Sequence, residues 1–355
     1  MLTTALSTIF VLGILIFIHE LGHFIVAKRV GIKVYRFSLG FPPYIFSKKV
    51  GETDYSIGLI PLGGFVKMAG ENPDDPTTGD PNEFSSKTLL QRAAVIFAGP
   101  FMNYVLALII PVCVLYFSGT PVYDPDRIIV GEVTQDLPAA AAGLREDDQI
   151  IGIDGVSVSN FDSLRLRIAK HVYDSLHLTW LRGTETMTAV MGTKIEKEMN
   201  LEGKYDSIGR IGFAAKPVRY EHTSLWEATR DGVIWTHVVV WETVKFVKNL
   251  VTGQVSLRLI GGPVFIAEQS GKEARRGSAA LFRFMALLSV NLAVLNVLPI
   301  PILDGGHLMF LLIEKVRGVP LSQKARMIAQ QFGLVILLGL IVVVMYNDIS
   351  RRFGL

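Results

Sequence analysis

Residues 1–27 read MLTTALSTIFVLGILIFIHELGHFIVA, and inside this apolar run stand His19, Glu20 and His23. The run contains no Lys, Arg or Asp. It is long enough for a spanning helix, which needs roughly 20 apolar residues. Ionisable side chains at membrane depth are costly and usually functional. On a helix, positions i and i+4 share a face, so His19 and His23 can offer ring nitrogens to one metal ion. Glu20 lies beside them, placed to take a proton from water without ligating the ion. H-E-x-x-H is a zinc-site pattern, and two histidines do not complete a catalytic one: a third protein ligand is required.

The rest of the chain fits a membrane setting. Half of its 355 residues are hydrophobic, and the mean hydropathy is +0.40. Besides 1–27, the runs 93–123, 284–303 and 327–347 lack Asp, Glu, Lys and Arg. The reading is a membrane α-helical protein with about four transmembrane helices, at 2–27, 93–117, 284–303 and 327–347. Between Lys28 and Arg92 stand nine Lys or Arg residues, with none before Lys28. By the positive-inside rule that segment is cytoplasmic, which puts the N-terminus and residues 119–278 outside. Arg351 and Arg352 at the outer end run mildly against this scheme. Cys113 is the single cysteine, so no internal disulfide forms. Nucleic-acid binding has no support, because there is no basic helix and residues 71–83 are acidic and turn-rich. A metal transporter would want acidic or His residues through several helices, and the second and fourth hold none.

The domain expectation is fourfold. Residues 1–118 form the first membrane part, including a β-hairpin at 50–70 with Gly63-Gly64 as a turn or bulge. Residues 126–217 form an inserted extracytoplasmic α/β domain. Residues 222–278 form a connector whose 224–252 stretch is an amphipathic helix lying at the outer membrane surface. Residues 279–355 form the second membrane part. His23 is five residues before Lys28, about 8 Å along a helix, so the metal site is near the cytoplasmic end of the first helix. The third helix ends on the same side at Leu303-Asp304-Gly305-Gly306-His307. Asp304 and His307 are rival third ligands; Gly305 and Gly306 favour Asp304, because they let the backbone approach closely.

HELGH at 19–23, GLIPLGGFVKM at 58–68, AGPFMN at 98–103 and NLAVLNVLPIPILDGGHL at 291–308 together resemble the site-2 protease family of intramembrane zinc metalloproteases, peptidase family M50. The likeness covers nearly the whole chain and is to the bacterial branch typified by the regulator of sigma-E protease (RseP). It implies zinc held by His19, His23 and Asp304, with Glu20 as the catalytic base. It implies that Asn291 and Asn296 lie by the substrate, where an amide can bond an unwound peptide backbone. Pro299 and Pro301 would break the third helix just before the ligand. The 58–68 run matches the family's membrane-associated hairpin. A transmembrane substrate must unwind to be cut, and a strand edge from Ile57, Gly58 and Leu59, or from Phe65, Val66 and Lys67, can take up its freed backbone groups.

GLREDDQIIGIDG at 143–155 resembles PDZ domains of bacterial envelope proteases, and the chain has length for one such domain. Gly143 is expected at a positive-φ or close-packed position, Ile150 and Ile153 in the core, and Asp154-Gly155 at a turn, with 208–213 as a late strand. The implied activity is hydrolysis within single-pass membrane proteins, such as anti-sigma factors already cut outside or remnant signal peptides, in a bacterial inner membrane. The rival is a non-enzymatic membrane PDZ adaptor with a structural metal; Glu20 argues against it, since a structural ion needs no base.

Overall fold

The computed structural model describes residues 1–71, 78–134, 137–199 and 205–353. Helix α1 (Leu2–Arg29) carries Lys28 and Arg29 in its last turn, where cations favour the negative end of the helix dipole. Strand β1 (Val34–Val50) follows, then a turn through Gly51 (φ 62°) and strand β2 (Thr53–Met68). The hairpin therefore spans 34–68, not 50–70. Its first strand is masked in the sequence by Pro42 and Pro43, which argue against regular pairing. Gly63 and Gly64 lie inside β2, where the register jumps between Phe41↔Ile60 and Leu39↔Gly64. The outer half of β1 pairs antiparallel with 53–58. Its inner residues 36–39 are flanked on both sides, by 54–57 with numbers ascending together and by 64–67 with numbers opposed. Residues 64–68 thus form one border of the sheet.

Helix α2 (Leu89–Ser118) follows, and the chain then enters a second compact unit, 115–224 with 252–255. Strand β3 (Thr120–Val122) opens it. Next come β4 (Ile128–Val133), helix α3 (Pro138–Ala141), β5 (Gln149–Ile153), β6 (Val156–Ser157), helix α4 (Phe161–Lys170), β7 (Ser175–Arg182) and β8 (Glu185–Gly192). The strands β9 (Lys194–Met199), β10 (Tyr205–Arg210), β11 (Phe213–Ala215) and β12 (Arg219–Glu221) complete it. The main sheet runs β11-β4-β5-β7-β8, with β6 on β5. Alternate residues of its strands, among them Ile128, Val130, Leu176, Leu178 and Trp180, bury against Leu164 and Ile168 of α4. Ile150 and Ile153 are in this core as expected, and Gly143 has φ 82°. Asp154 (φ 51°) and Gly155 (φ 75°) make a two-residue turn with both φ positive, the geometry that favours Asp-Gly between twisted strands. The expected single strand at 208–213 is two: β10 pairs with β9, and β11 joins β4 after Gly212 (φ 88°) redirects the chain.

One ion pair ties this unit together. Asp148, nearly buried, accepts from Arg182 Nε (2.9 Å) and Nη2 (2.8 Å) and from the Arg145 backbone N–H (2.8 Å). Burial alone would push its carboxyl up, but these donors hold it below the usual carboxylate range.

The remaining chain belongs with the first unit: α5 (Leu225–Val251), α6 (Pro263–Arg276), α7 (Ser278–Val297), α8 (Asp304–Arg317) and α9 (Gln323–Phe353). The helix expected at 224–252 is α5, and one face of it is packed. Ala228, Gly232 and Thr236, four residues apart, are buried. A Cβ at Gly232 would come 2.9 Å from Val112 N, and Thr236 Oγ1 donates to the Ala107 carbonyl (2.9 Å). α5 is thus packed on α2, and residues 222–278 hold a second helix, α6, in place of a plain connector. Asp348 of α9 accepts from the backbone N–H groups of Gly262 (2.9 Å), Val264 (3.1 Å) and Phe265 (3.0 Å), and so caps α6.

Among the described residues, four helices are long and apolar enough to cross a membrane: Leu2–Arg29, Leu89–Ser118, Ser278–Val297 and Gln323–Ser350. The third is shifted from the expected 284–303. Counting from the last charge misses its first turns, which include Arg283, and Leu298 ends it just ahead of Pro299.

Candidate metal centre

α1 presents His19 and His23 one turn apart, and the break between α7 and α8 delivers Asp304 in the first turn of α8. That delivery depends on missing side chains. A Cβ at Gly305 would lie 2.2 Å from the Leu298 carbonyl oxygen, and one at Gly306 2.2 Å from that of Ile300. Substituted there, α8 could not close onto the end of α7, and Asp304 would stand off.

His19 Nε2 is 3.2 Å from Asp304 Oδ2 and 3.2 Å from His23 Nε2, and His23 Nε2 is 3.6 Å from Asp304 Oδ1. Two atoms each about 2.05 Å from a tetrahedral ion stand about 3.3 Å apart, so the spacing suits zinc. His23 Nδ1–H donates to the Val95 carbonyl (2.8 Å), which leaves Nε2 with its lone pair facing Asp304 and His19. Among the described residues, His19, His23 and Asp304 are the group able to hold a metal. Asp304 and His307 both line the neighbouring cavity, and of these two rivals it is Asp304 whose carboxylate lies close to both histidines.

The cavity has a volume of about 380 Å³ and is lined by Glu20, Gly64, Phe65, Val66 and Arg92 besides the three ligands. Glu20 packs against the hairpin: a Cβ at Gly64 would lie 3.0 Å from Glu20 Cγ. Arg92 Nη1 donates to Glu314 Oε2 (3.1 Å), which pairs α2 with α8 at this cavity. Three ligands beside an open cavity suit a catalytic ion, since a structural one is enclosed by four.

The other expected residues divide. Phe65 and Val66 line the cavity, and Lys67 continues the same border strand. Ile57 is paired on both sides, with Leu39 and Phe46, and Gly58 pairs with Tyr44, so this part of the hairpin offers no comparable border. Leu59 is exposed and is not among the residues lining the cavity. Asn291 and Asn296 are not among them either; Asn291 Oδ1 accepts from Thr243 Oγ1 of α5 (2.9 Å). Sequence reasoning missed the contribution of α2. Val95, Gly99 and Asn103 stand four residues apart on one face of it, against the two histidines. A Cβ at Gly99 would be 2.2 Å from His23 Nε2 and 2.8 Å from His19 Cε1. The spacing is readable in sequence, but a backbone carbonyl such as that of Val95 leaves no residue-type signal.

Comparison with known proteins gives the family of the chain. The sequence model of peptidase family M50 matches residues 7–340. A putative zinc metalloprotease of Agrobacterium fabrum is 35% identical over 98% of this chain and 95% of its own. One of Clostridium perfringens is 37% identical over 94% of this chain and 95% of its own. The regulator of sigma-W protease RasP of Bacillus subtilis is 30% identical over 99% of each chain. Among solved structures, the PDZ domain of an SdrC-like protein from Listeria innocua matches 28% of this chain and 100% of its own, at 24% identity and a TM-score of 0.21. A group of two histidines on an apolar helix with an aspartate brought beside them, and relatives along the full length, lead to one conclusion: the chain belongs to peptidase family M50 and is a zinc metalloprotease.

Proposed function

We propose that this membrane protein hydrolyses peptide bonds within transmembrane segments of single-pass membrane proteins. The observation that carries the reading is the position of the ligand triad: two of its members are on an apolar helix long enough to span the bilayer, beside a cavity bordered by a β-strand. His19, His23 and Asp304 would hold a zinc ion, which when bound would supply an acidified water and a Lewis acid for a peptide carbonyl. Glu20, facing the same cavity, takes the proton from the attacking water and returns it to the leaving amine.

The border strand at 64–68 receives the unwound substrate by strand addition, with Phe65 and Val66 against its side chains and Lys67 towards its end. Asn291 and Asn296 hold the substrate's backbone from α7, once Asn291 exchanges its bond to Thr243. The cationic 28–92 segment supports a site on the cytoplasmic side of the membrane, taken here as a bacterial inner membrane, with the 126–217 domain outside. That domain, of PDZ type, recruits or filters substrates there. Anti-sigma factors already cut outside, and remnant signal peptides, are the substrate classes; the name of the Bacillus subtilis relative supports the first.

The test is cleavage of a tagged, pre-trimmed single-pass helix by the full-length protein in detergent, with bound zinc measured alongside. Wild type should cleave. Glu20→Gln should keep zinc and lose cleavage by at least about a hundredfold, as expected for removal of a general base. Equal zinc in both and cleavage by neither, across several substrate helices, would turn the reading to a non-enzymatic adaptor.

A further inference from the structure

We infer that Asn103 of α2 is a positioning residue of the metal centre, its side-chain carbonyl accepting the Nδ1–H of His19 and so holding that ring with Nε2 on the ion. The inference rests on the zinc centre described above. Asn103 is 0% exposed. Its amide lies 3.3 Å from His19 Nδ1. The other ring nitrogen of His19 faces Asp304 and His23, and is therefore the one that meets the metal. A neutral imidazole that gives its Nε2 lone pair to a metal carries its proton on Nδ1, and that proton needs an acceptor.

The amide group nearest Nδ1 is Nδ2, while Oδ1 is buried without a partner. Two donors would then face each other. The two ends of a carboxamide have the same shape, and a half-turn about the Cβ–Cγ bond brings Oδ1 to His19 and leaves Nδ2 in the unpartnered position. The backbone is already fixed for this: Ser289 Oγ of α7 donates to the Asn103 carbonyl (2.7 Å). Both ligand rings are then oriented from α2, His23 by the Val95 carbonyl and His19 by Asn103 two turns on, with Gly99 between them as clearance.

The choice of an amide follows from charge. A carboxylate at position 103 would put a further charge inside an apolar helix bundle, a cost that falls on the stability of the bundle rather than on metal binding. An amide supplies the acceptor without it.

The test compares zinc affinity, by competition with a chromophoric chelator, in full-length wild type, Asn103→Leu and Asn103→Asp in detergent. Thermal melts of the metal-free forms and the visible spectra of the cobalt-loaded forms accompany it. Asn103→Leu keeps the shape and lacks the acceptor. It should bind zinc about 10- to 100-fold more weakly, with an unchanged metal-free melt and an altered cobalt spectrum. Asn103→Asp keeps an acceptor oxygen and should stay within severalfold of wild type. Asn103→Leu within about threefold of wild type would overturn the inference. So would a folded Asn103→Asp as weak as Asn103→Leu, because packing would then be the cause. Should Asn103→Leu fail to fold, the aspartate variant decides alone. A wild type that binds no zinc would remove the centre itself, and this inference with it.

Discussion

At the scale of single residues, the metal centre is built as much from absent side chains as from present ones. Gly99 is the sharpest case, since a methyl group there would occupy the space of the His23 ring. The obstructing atoms belong to a side chain already tied to Val95, so they cannot swing aside without losing that bond. Gly99→Ala should therefore lower zinc affinity by about tenfold or more and cut cleavage in proportion. The variant's metal content after dialysis against a weak chelator checks this; full zinc retention would refute the clash. The two histidines and Glu20 were legible because H-E-x-x-H is a local pattern on one helix. Asp304 was legible only as one of two candidates, because its depth followed from counting while its partner set depends on how α8 returns to α7. Gly99 and Asn103 were visible as letters in AGPFMN, but their role requires knowing which face of α2 meets α1.

At the scale of elements, the hairpin shows how register decides function. Its inner strand is paired on both sides, which leaves 64–68 as the border where the proposed strand addition would take place. Alternate N–H groups of a strand point to opposite sides. Proline placed in turn at Phe65, Val66 and Lys67 should then give two classes. Where the N–H faces β1, the hairpin loosens. Where it faces the cavity, cleavage should fall by about tenfold or more with zinc retained, the loss of one strand hydrogen bond to substrate being about 1.5 kcal/mol. Unchanged cleavage by all three folded variants would exclude strand addition at this border. Sequence periodicity found β2 and missed β1, because two prolines in a strand read as a loop. The shift of α7 has a similar origin: absence of charge marks the apolar span but not where helical hydrogen bonding begins.

At the scale of the whole molecule, the chain divides into a helical unit that carries the metal ligands and a β-rich unit inserted between α2 and α5. The Asp148–Arg182 pair lies wholly in the inserted unit. Asp148→Asn should destabilise that unit by about 1.5–3 kcal/mol near neutral pH, the worth of hydrogen bonds to a charged group, with zinc content unaltered. The pH dependence has a definite sign. The carboxyl is depressed in the folded state, so its contribution is fully present above the unfolded value of about 3.9 and is lost as pH falls below that value, through the native one. Urea unfolding read by the near-ultraviolet signal of buried Trp180 should show wild type and variant converging in acid. A gap that does not narrow as pH falls below about 3.9 would contradict the assignment. The insertion was legible as a domain because its turns and alternating strands are local signals, whereas the β9–β10 ribbon and the packing of α5 on α2 depend on contacts across the fold.

The ligand triad joins distant parts of the chain. His23 and Asp304 are 281 residues apart (304 − 23). A ribosome adding about 5–20 residues per second needs roughly 15–55 s to cover that interval. Throughout that time the first helix already sits in the bilayer with two ligands and a base, but no third ligand. A site that needs all three ligands therefore stays inert until Asp304 has been made, and the cleavage proposed above could begin only after that.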